Sequence, residues 1–234
     1  MIKKLLLVAV GGVMLALIAM GAAVAIGGTD LRGAFKDGHF VWDSDGYKGP
    51  VIKKELALDD SRPLEISMPV DMRFTRGDTV SMTVEGPKEA IDKLVYENGK
   101  LDLRGSLSSS NDGIKLTITA PVLPVLDISG PANIVIEDMR QPLFKLSMAG
   151  AGNIEASGKV ERLEVEAGGA GNVDLTNLEA GDAEITLAGF GNADINASGK
   201  VEVEIAGAGN VTLHRKPREL RTDIVGLGNV DHSY

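Results

Sequence analysis

LSMAGAGNIEASG, residues 146–158, is one pass through a corner that the chain makes six times. The corners read Gly130-Pro131-Ala132-Asn133, Gly150-Ala151-Gly152-Asn153, Gly169-Ala170-Gly171-Asn172, Gly189-Phe190-Gly191-Asn192, Gly207-Ala208-Gly209-Asn210 and Gly226-Leu227-Gly228-Asn229, spaced 18 to 20 residues apart. A period near 20 residues marks a solenoid, in which a repeat buries its apolar face only by stacking on its neighbours.

Counting back from each corner Asn defines the rung. Nine residues earlier stand Pro124, Phe144, Leu163, Ala183, Val201 and Leu220. Seven earlier stand Leu126, Leu146, Val165, Ile185, Val203 and Thr222, and five earlier Ile128, Met148, Ala167, Leu187, Ile205 and Ile224. Polar residues separate these columns, the period-two pattern of a half-buried strand. One residue past the corner come Ile134, Ile154, Val173, Ala193, Val211 and Val230. Each rung of about 19 residues therefore places one strand before the corner and one after it around a shared core, and the remaining residues turn the chain back. The fold expected is all-β, a parallel β-helix, with the right-handed crossover that parallel connections favour. Six rungs would make a rod of roughly 30 Å.

Glycine reaches positive φ without penalty, and Asn tolerates the left-handed region, so the corner reads as turn chemistry. Stacked corners would also set Asn133, Asn153, Asn172, Asn192, Asn210 and Asn229 about 4.8 Å apart as an amide ladder. These Asn residues are expected to be structural corners, not ligands.

Four segments organise the chain. Lys3 and Lys4 precede an uncharged run, Leu5 to Thr29, so residues 1–29 read as a signal peptide or a transmembrane anchor. Ala23 and Ala25 supply a cleavage signature, whereas the length of the run suits a span. Either way the basic end stays in the cytoplasm and the rest is exported, to the periplasmic or cell-surface side. Residues 30–50 form a linker whose Phe35, Phe40, Trp42 and Tyr47 rest at the lipid interface or cap the coil. Residues 51–121 alternate less regularly and are expected to cap the coil or supply its first rungs; Asn98-Gly99 signals a hairpin, Ala90–Leu94 a helical turn, and Ser106–Gly113 a loop. Residues 122–234 are the regular coil.

Composition narrows the function classes. The formal charge of −9 gives no electrostatic case for nucleic acid, and the absence of cysteine removes disulfides and thiolate chemistry. His39, His214 and His232 stand in unrelated contexts, and no nucleophile elbow, His-Glu-x-x-His motif or phosphate loop is present. Chemistry would have to come from acidic columns. Glu155, Asp174 and Asp194 lie two residues past their corners, and Glu164, Glu184 and Glu202 lie eight before theirs. Both columns point outward by alternation. Stacked like charges would raise a carboxylate pKa or invite a divalent cation, the one cofactor possibility. A solvated face is the ordinary reading, and no catalytic or cofactor-binding residue is expected.

The GAGN and GFGN corners, the stretch TAPVLPVLDISGPANI (119–134), the opening SRPLEISMPVDMRFTRGDTVSMTVEG (61–86) and the hairpin ENGKLDLRG (97–105) resemble the head GIN domain family over about Leu56 to Val230. Members are labelled autotransporter adhesins of the bacterial envelope. The resemblance implies a β-solenoid and carries no catalytic residues to transfer. Pro131 and Ala132 in the first corner depart from the later Gly-x-Gly pattern. The expectation is a noncatalytic envelope protein with a stiff binding surface for envelope glycans or other envelope partners. A scaffold that self-associates end to end is the alternative, because little chain follows Asn229, and a carbohydrate-active lyase or hydrolase is the third reading.

Overall fold

The computed structural model describes residues 50–59, 61–105, 113–123 and 125–234, together with the backbone of two short antiparallel strands, β1 (Phe35–Lys36) and β2 (His39–Phe40). The leader at 1–29, most of the 30–50 linker with its aromatic side chains, the 106–112 loop and Pro124 lie outside the described residues. No helix among the described residues is long and apolar enough to cross a membrane.

Chain order runs β3 (Val51–Leu56), β4 (Leu64–Ile66), β5 (Val70–Arg76), β6 (Ser81–Pro87), α1 (Lys88–Lys93), β7 (Leu94–Glu97), β8 (Lys100–Leu103) and β9 (Lys115–Ala120). The stack proper follows with β10 (Leu126–Ile128), β11 (Ala132–Met148), β12 (Ala151–Ala167), β13 (Ala170–Leu187), β14 (Phe190–Ala197), β15 (Lys200–Gly207), β16 (Asn210–Leu213), β17 (Glu219–Gly226) and β18 (Asn229–His232).

Every pairing from β10 to β18 is parallel, and the register follows the sequence columns. Phe144 lies beside Leu163, then Ala183, Val201 and Leu220. Ile134 lies beside Ile154, Val173, Ala193, Val211 and Val230. The fold is a parallel β-solenoid, and its interior columns are buried from Leu126 to Ile205, apart from the half-buried Ala167. Among the described residues no polar or charged residue is buried.

Three features were not visible in the periodicity. First, the residues that turn the chain back form a third paired side: Arg140 lies beside Lys159 and Lys159 beside Glu179, while Gln141 lies beside Val160 and Val160 beside Ala180. Met139, Val160, Leu178 and Ala180 point from it into the core. Second, residues 64–76 already make a rung. Leu64 and Ile66 pair with Leu126 and Ile128, and Asp71 occupies the corner slot beneath Asn133. Third, stacking order departs from chain order. After that rung the chain travels outward through the antiparallel β6 and the β7–β8 hairpin, whose turn residues Asn98 and Gly99 have φ of 54° and 85°. It then lays β8 and β9 parallel to the outer side of the same rung, and returns past it to β10. Antiparallel strands thereby close that end of the stack, where a bare parallel edge would otherwise template foreign pairing.

The reason for glycine at the corners is corrected by the backbone. No corner Asn has positive φ, and of the corner glycines only Gly152 and Gly226 do, at 156° and 139°. The requirement is close approach instead. A Cβ on Gly150 would strike the Gly130 carbonyl oxygen, one on Gly169 the Gly150 oxygen, and one on Gly189 the Gly169 oxygen. Rungs meet backbone to backbone here, so the side chain has no room. Gly130 itself faces the backbone of Met68, with the carbonyl oxygen 2.6 Å from where its Cβ would sit.

Candidate functional site

The side that follows the corner carries two outward columns. In the first, the corner amides join into a ladder: Asn172 Nδ2 donates to Asn153 Oδ1 at 3.2 Å, Asn192 to Asn172 at 3.0 Å and Asn210 to Asn192 at 3.4 Å. One rung below, Asn133 donates instead to Asp71 Oδ1 at 3.0 Å, a separate amide–carboxylate pair in the same column. At the other end Asn229 turns away to Asp231 in its own strand, at 2.7 Å. The amide side chains thus bind each other, which leaves part of each amide facing solvent.

The second column stacks Val135, Glu155, Asp174, Asp194, Thr212 and Asp231. Glu155 and Asp174 are exposed and have no ion-pair partner among the described residues. Asp174 Oδ1 accepts only the local Thr176 N–H, at 3.0 Å. Asp194 is half-buried and lies 2.8 Å from His214 Nε2, a contact made one rung away. No group of three or more His, Asp or Glu side chains among the described residues converges as a metal site.

The side that precedes the corner is different. Its outward column is Lys145, Glu164, Glu184, Glu202 and Arg221, with a cation at each end. Arg162 bridges two rungs, reaching Glu164 at 2.7 Å and Glu184 at 2.7 Å. Lys145 approaches Glu164 at 3.6 Å and Glu166 at 3.0 Å, while Glu202 is held by Lys200 at 3.4 Å and Arg221 at 3.2 Å. The repulsion expected to raise these carboxylates is overturned at Glu164: the Arg162 hydrogen bond holds its pKa below the ordinary glutamate range. Lys145 is raised in turn, first by its hydrogen bond to Glu166. This column is a neutralised network. The acidic columns alone do not reveal this, and the signal that could have is the placement of Arg162 and Lys200 two residues before Glu164 and Glu202 on the same strand face.

A shallow depression of about 330 Å³ opens on the third side, lined by Lys159, Glu161, Glu179, Asp182, Ser198 and Arg215 among others. It holds carboxylates but no aromatic platform, and Arg215 and Arg218 stand 4.0 Å from Glu179 and Asp182. None of the six carboxylates singled out from sequence lines it.

A family model described as "Putative auto-transporter adhesin, head GIN domain" matches residues 62–217. Among solved structures, one described as a "putative adhesin" from Bacteroides fragilis NCTC 9343 is 17% identical, with a TM-score of 0.61 over 79% of this chain and 98% of that one. Another, described as a "Putative lipid binding protein" from Parabacteroides distasonis ATCC 8503, is 19% identical with a TM-score of 0.47, covering 79% of this chain and 97% of that one. At such identities the first likeness concerns the fold alone. No curated protein matches the chain.

Proposed function

We propose a function from one premise: the chain belongs to the head GIN domain family. On that basis it is an adhesin-like, noncatalytic protein of the bacterial envelope. Leu5 to Thr29 delivers it across the cytoplasmic membrane, as an anchor or a cleaved signal. The observation that supports a particular face is the contrast between the two acidic columns. Glu164, Glu184 and Glu202 are tied up by Lys145, Arg162, Lys200 and Arg221. Glu155 and Asp174, beside the amide ladder, have no such partners among the described residues. A flat ribbon of amides and free carboxylates, repeated at the strand spacing of about 4.8 Å, suits a hydroxyl-rich repetitive partner such as an envelope glycan. Binding would sum many weak hydrogen bonds, so affinity would come from avidity.

The test is cosedimentation of the full detergent-solubilised chain with purified envelope glycan. Wild type is expected to pellet with the glycan, and the Glu155→Gln, Asp174→Asn, Asp194→Asn triple variant is expected to remain in the supernatant. Glu164→Gln, on the neutralised side, serves as the control and should pellet as wild type. If the triple variant pellets equally well, this face is not the binding surface; release of new glycan ends by wild type would replace binding with catalysis.

A further inference from the structure

The end of the stack opposite the closed one is bare. β17 pairs only with β15 and β18 only with β16, and no described strand pairs with the other edge of either. The columns that are buried in every inner rung surface here: Ile224 is 40% exposed, where its neighbour Ile205 is 1% exposed. We propose that this edge is a self-complementary interface, and that two chains join through antiparallel pairing of β17 with β17 of a second copy, about a two-fold axis at Thr222.

The register follows from the backbone. Glu219 N–H donates to Gly199 and Leu227 N–H to Gly207, at 3.3 and 2.9 Å, so the odd-numbered residues of β17 bond inward to β15. Strand alternation then turns the N–H and C=O groups of Leu220, Thr222 and Ile224 toward the free edge. An antiparallel partner centred on Thr222 meets these same groups, Thr222 with Thr222 and Leu220 with Ile224, and satisfies all of them. Charge selects the same centre. Arg221 falls opposite Asp223 of the second copy, twice by symmetry. In the single chain Asp223 lies beside Glu204, a like charge, and has no ion-pair partner among the described residues. Arg221 reaches Glu202 at 3.2 Å and is 70% exposed, so its guanidinium has donors left for a further carboxylate. Apolar residues meet apolar ones as well, since Leu220 and Ile224 both face the core column.

An interface of this kind is isologous and closes on itself, so it yields a rod of double length and not a filament. It differs in this from open end-to-end assembly. Because β3 lies at the other end of the stack, the two amino-terminal halves point away from each other. The inference stands independently of the glycan-binding face, which lies on the flank.

The test uses the full chain in detergent, with protein mass determined by light scattering. Wild type is expected as a dimer. Arg221→Asp and Asp223→Arg should each weaken dimerisation by about tenfold or more, because each places like charges opposite one another at two symmetric positions. The double reversal should restore the dimer. The chain contains no cysteine, so Thr222→Cys should oxidise to a linked dimer while Val225→Cys, displaced from the axis, should not. A monomeric wild type, a dimer insensitive to both single reversals, or equal linking at positions 222 and 225 would each overturn the proposal.

Discussion

Gly168 and Gly169 are adjacent in sequence and make opposite predictions. Both have ordinary φ, so neither is required for backbone freedom. A Cβ on Gly168 would meet nothing within 4 Å, whereas one on Gly169 would overlap the Gly150 carbonyl oxygen. That oxygen also accepts the Ala170 N–H at 3.3 Å, already near the limit of a hydrogen bond. The Cβ would sit 1.7 Å from that oxygen, so reaching van der Waals separation requires the rungs to part or the carbonyl to swing by well over ~1 Å. Either movement breaks the Ala170 bond. Breaking it costs about 0.5–1.5 kcal/mol net, and up to about 3 kcal/mol where the freed group is shielded from water, so Gly169→Ala should cost about 1–3 kcal/mol. Gly168→Ala keeps its own N–H bond to Met148 O at 2.8 Å and reduces the freedom of the unfolded chain. It should be neutral or stabilise by up to about 1 kcal/mol. Urea unfolding followed by far-ultraviolet circular dichroism measures both from midpoint and slope. Equal stability of the two variants, or a Gly169→Ala protein within about 0.5 kcal/mol of wild type, would refute close approach as the reason for the corner glycines.

The amide ladder and the charge network make two further predictions. Asn172→Ala removes two ladder bonds, to Asn153 and from Asn192, and should cost about 1–2 kcal/mol; Asn229→Ala, whose amide bonds Asp231 in its own strand, should cost less than about 0.5 kcal/mol by the same unfolding measurement. The pH dependence follows from Glu164, which Arg162 holds below the ordinary glutamate range. A lowered folded pKa means a contribution that is complete above the unfolded value and fades as pH falls through the folded one. Because Arg162 is 50% exposed, solvent limits the effect to about 1 kcal/mol or less. Melting temperatures followed from neutral pH down through the glutamate range should fall less steeply for Arg162→Gln than for wild type; parallel curves would count against the pairing.

What could be read from sequence depended on how far each signal repeats. The columns through Leu146 and Ile154 recur on six rungs, and they gave strand direction, register and core correctly. Asp71 escaped notice because its rung, ISMPVD at 66–71, stands 62 residues from Asn133, well outside the period, although it matches ISGPAN at 128–133 position for position in its Ile, Ser and Pro. A helix of six residues, a hairpin and two parallel strands intervene, and stacking order there follows edge capping more than chain order. The third side was missed because its strands are short and shifted by bulges between Ile136 and Met139 and between Glu155 and Ser157, which erases a fixed period. At the candidate face, the columns placed Glu155 beside Asp174 and Asp194, but not the cations that distinguish the two acidic stripes.

The two ends of the stack meet the same physical demand in different ways. Parallel pairing satisfies an inner strand on both edges, but the outermost strand of any such coil retains alternate N–H and C=O groups. At the amino-terminal end the chain spends β3, β6 and β7 on this problem, each paired antiparallel so that the parallel series stops. At the other end no comparable hairpin covers β17 among the described residues, and its core column surfaces as Thr222 and Ile224. A partner that reverses direction, as the hairpins do, both satisfies such an edge and ends the parallel series. A second β17 is such a strand, and the alternation of Arg221 and Asp223 about Thr222 is what makes it fit itself.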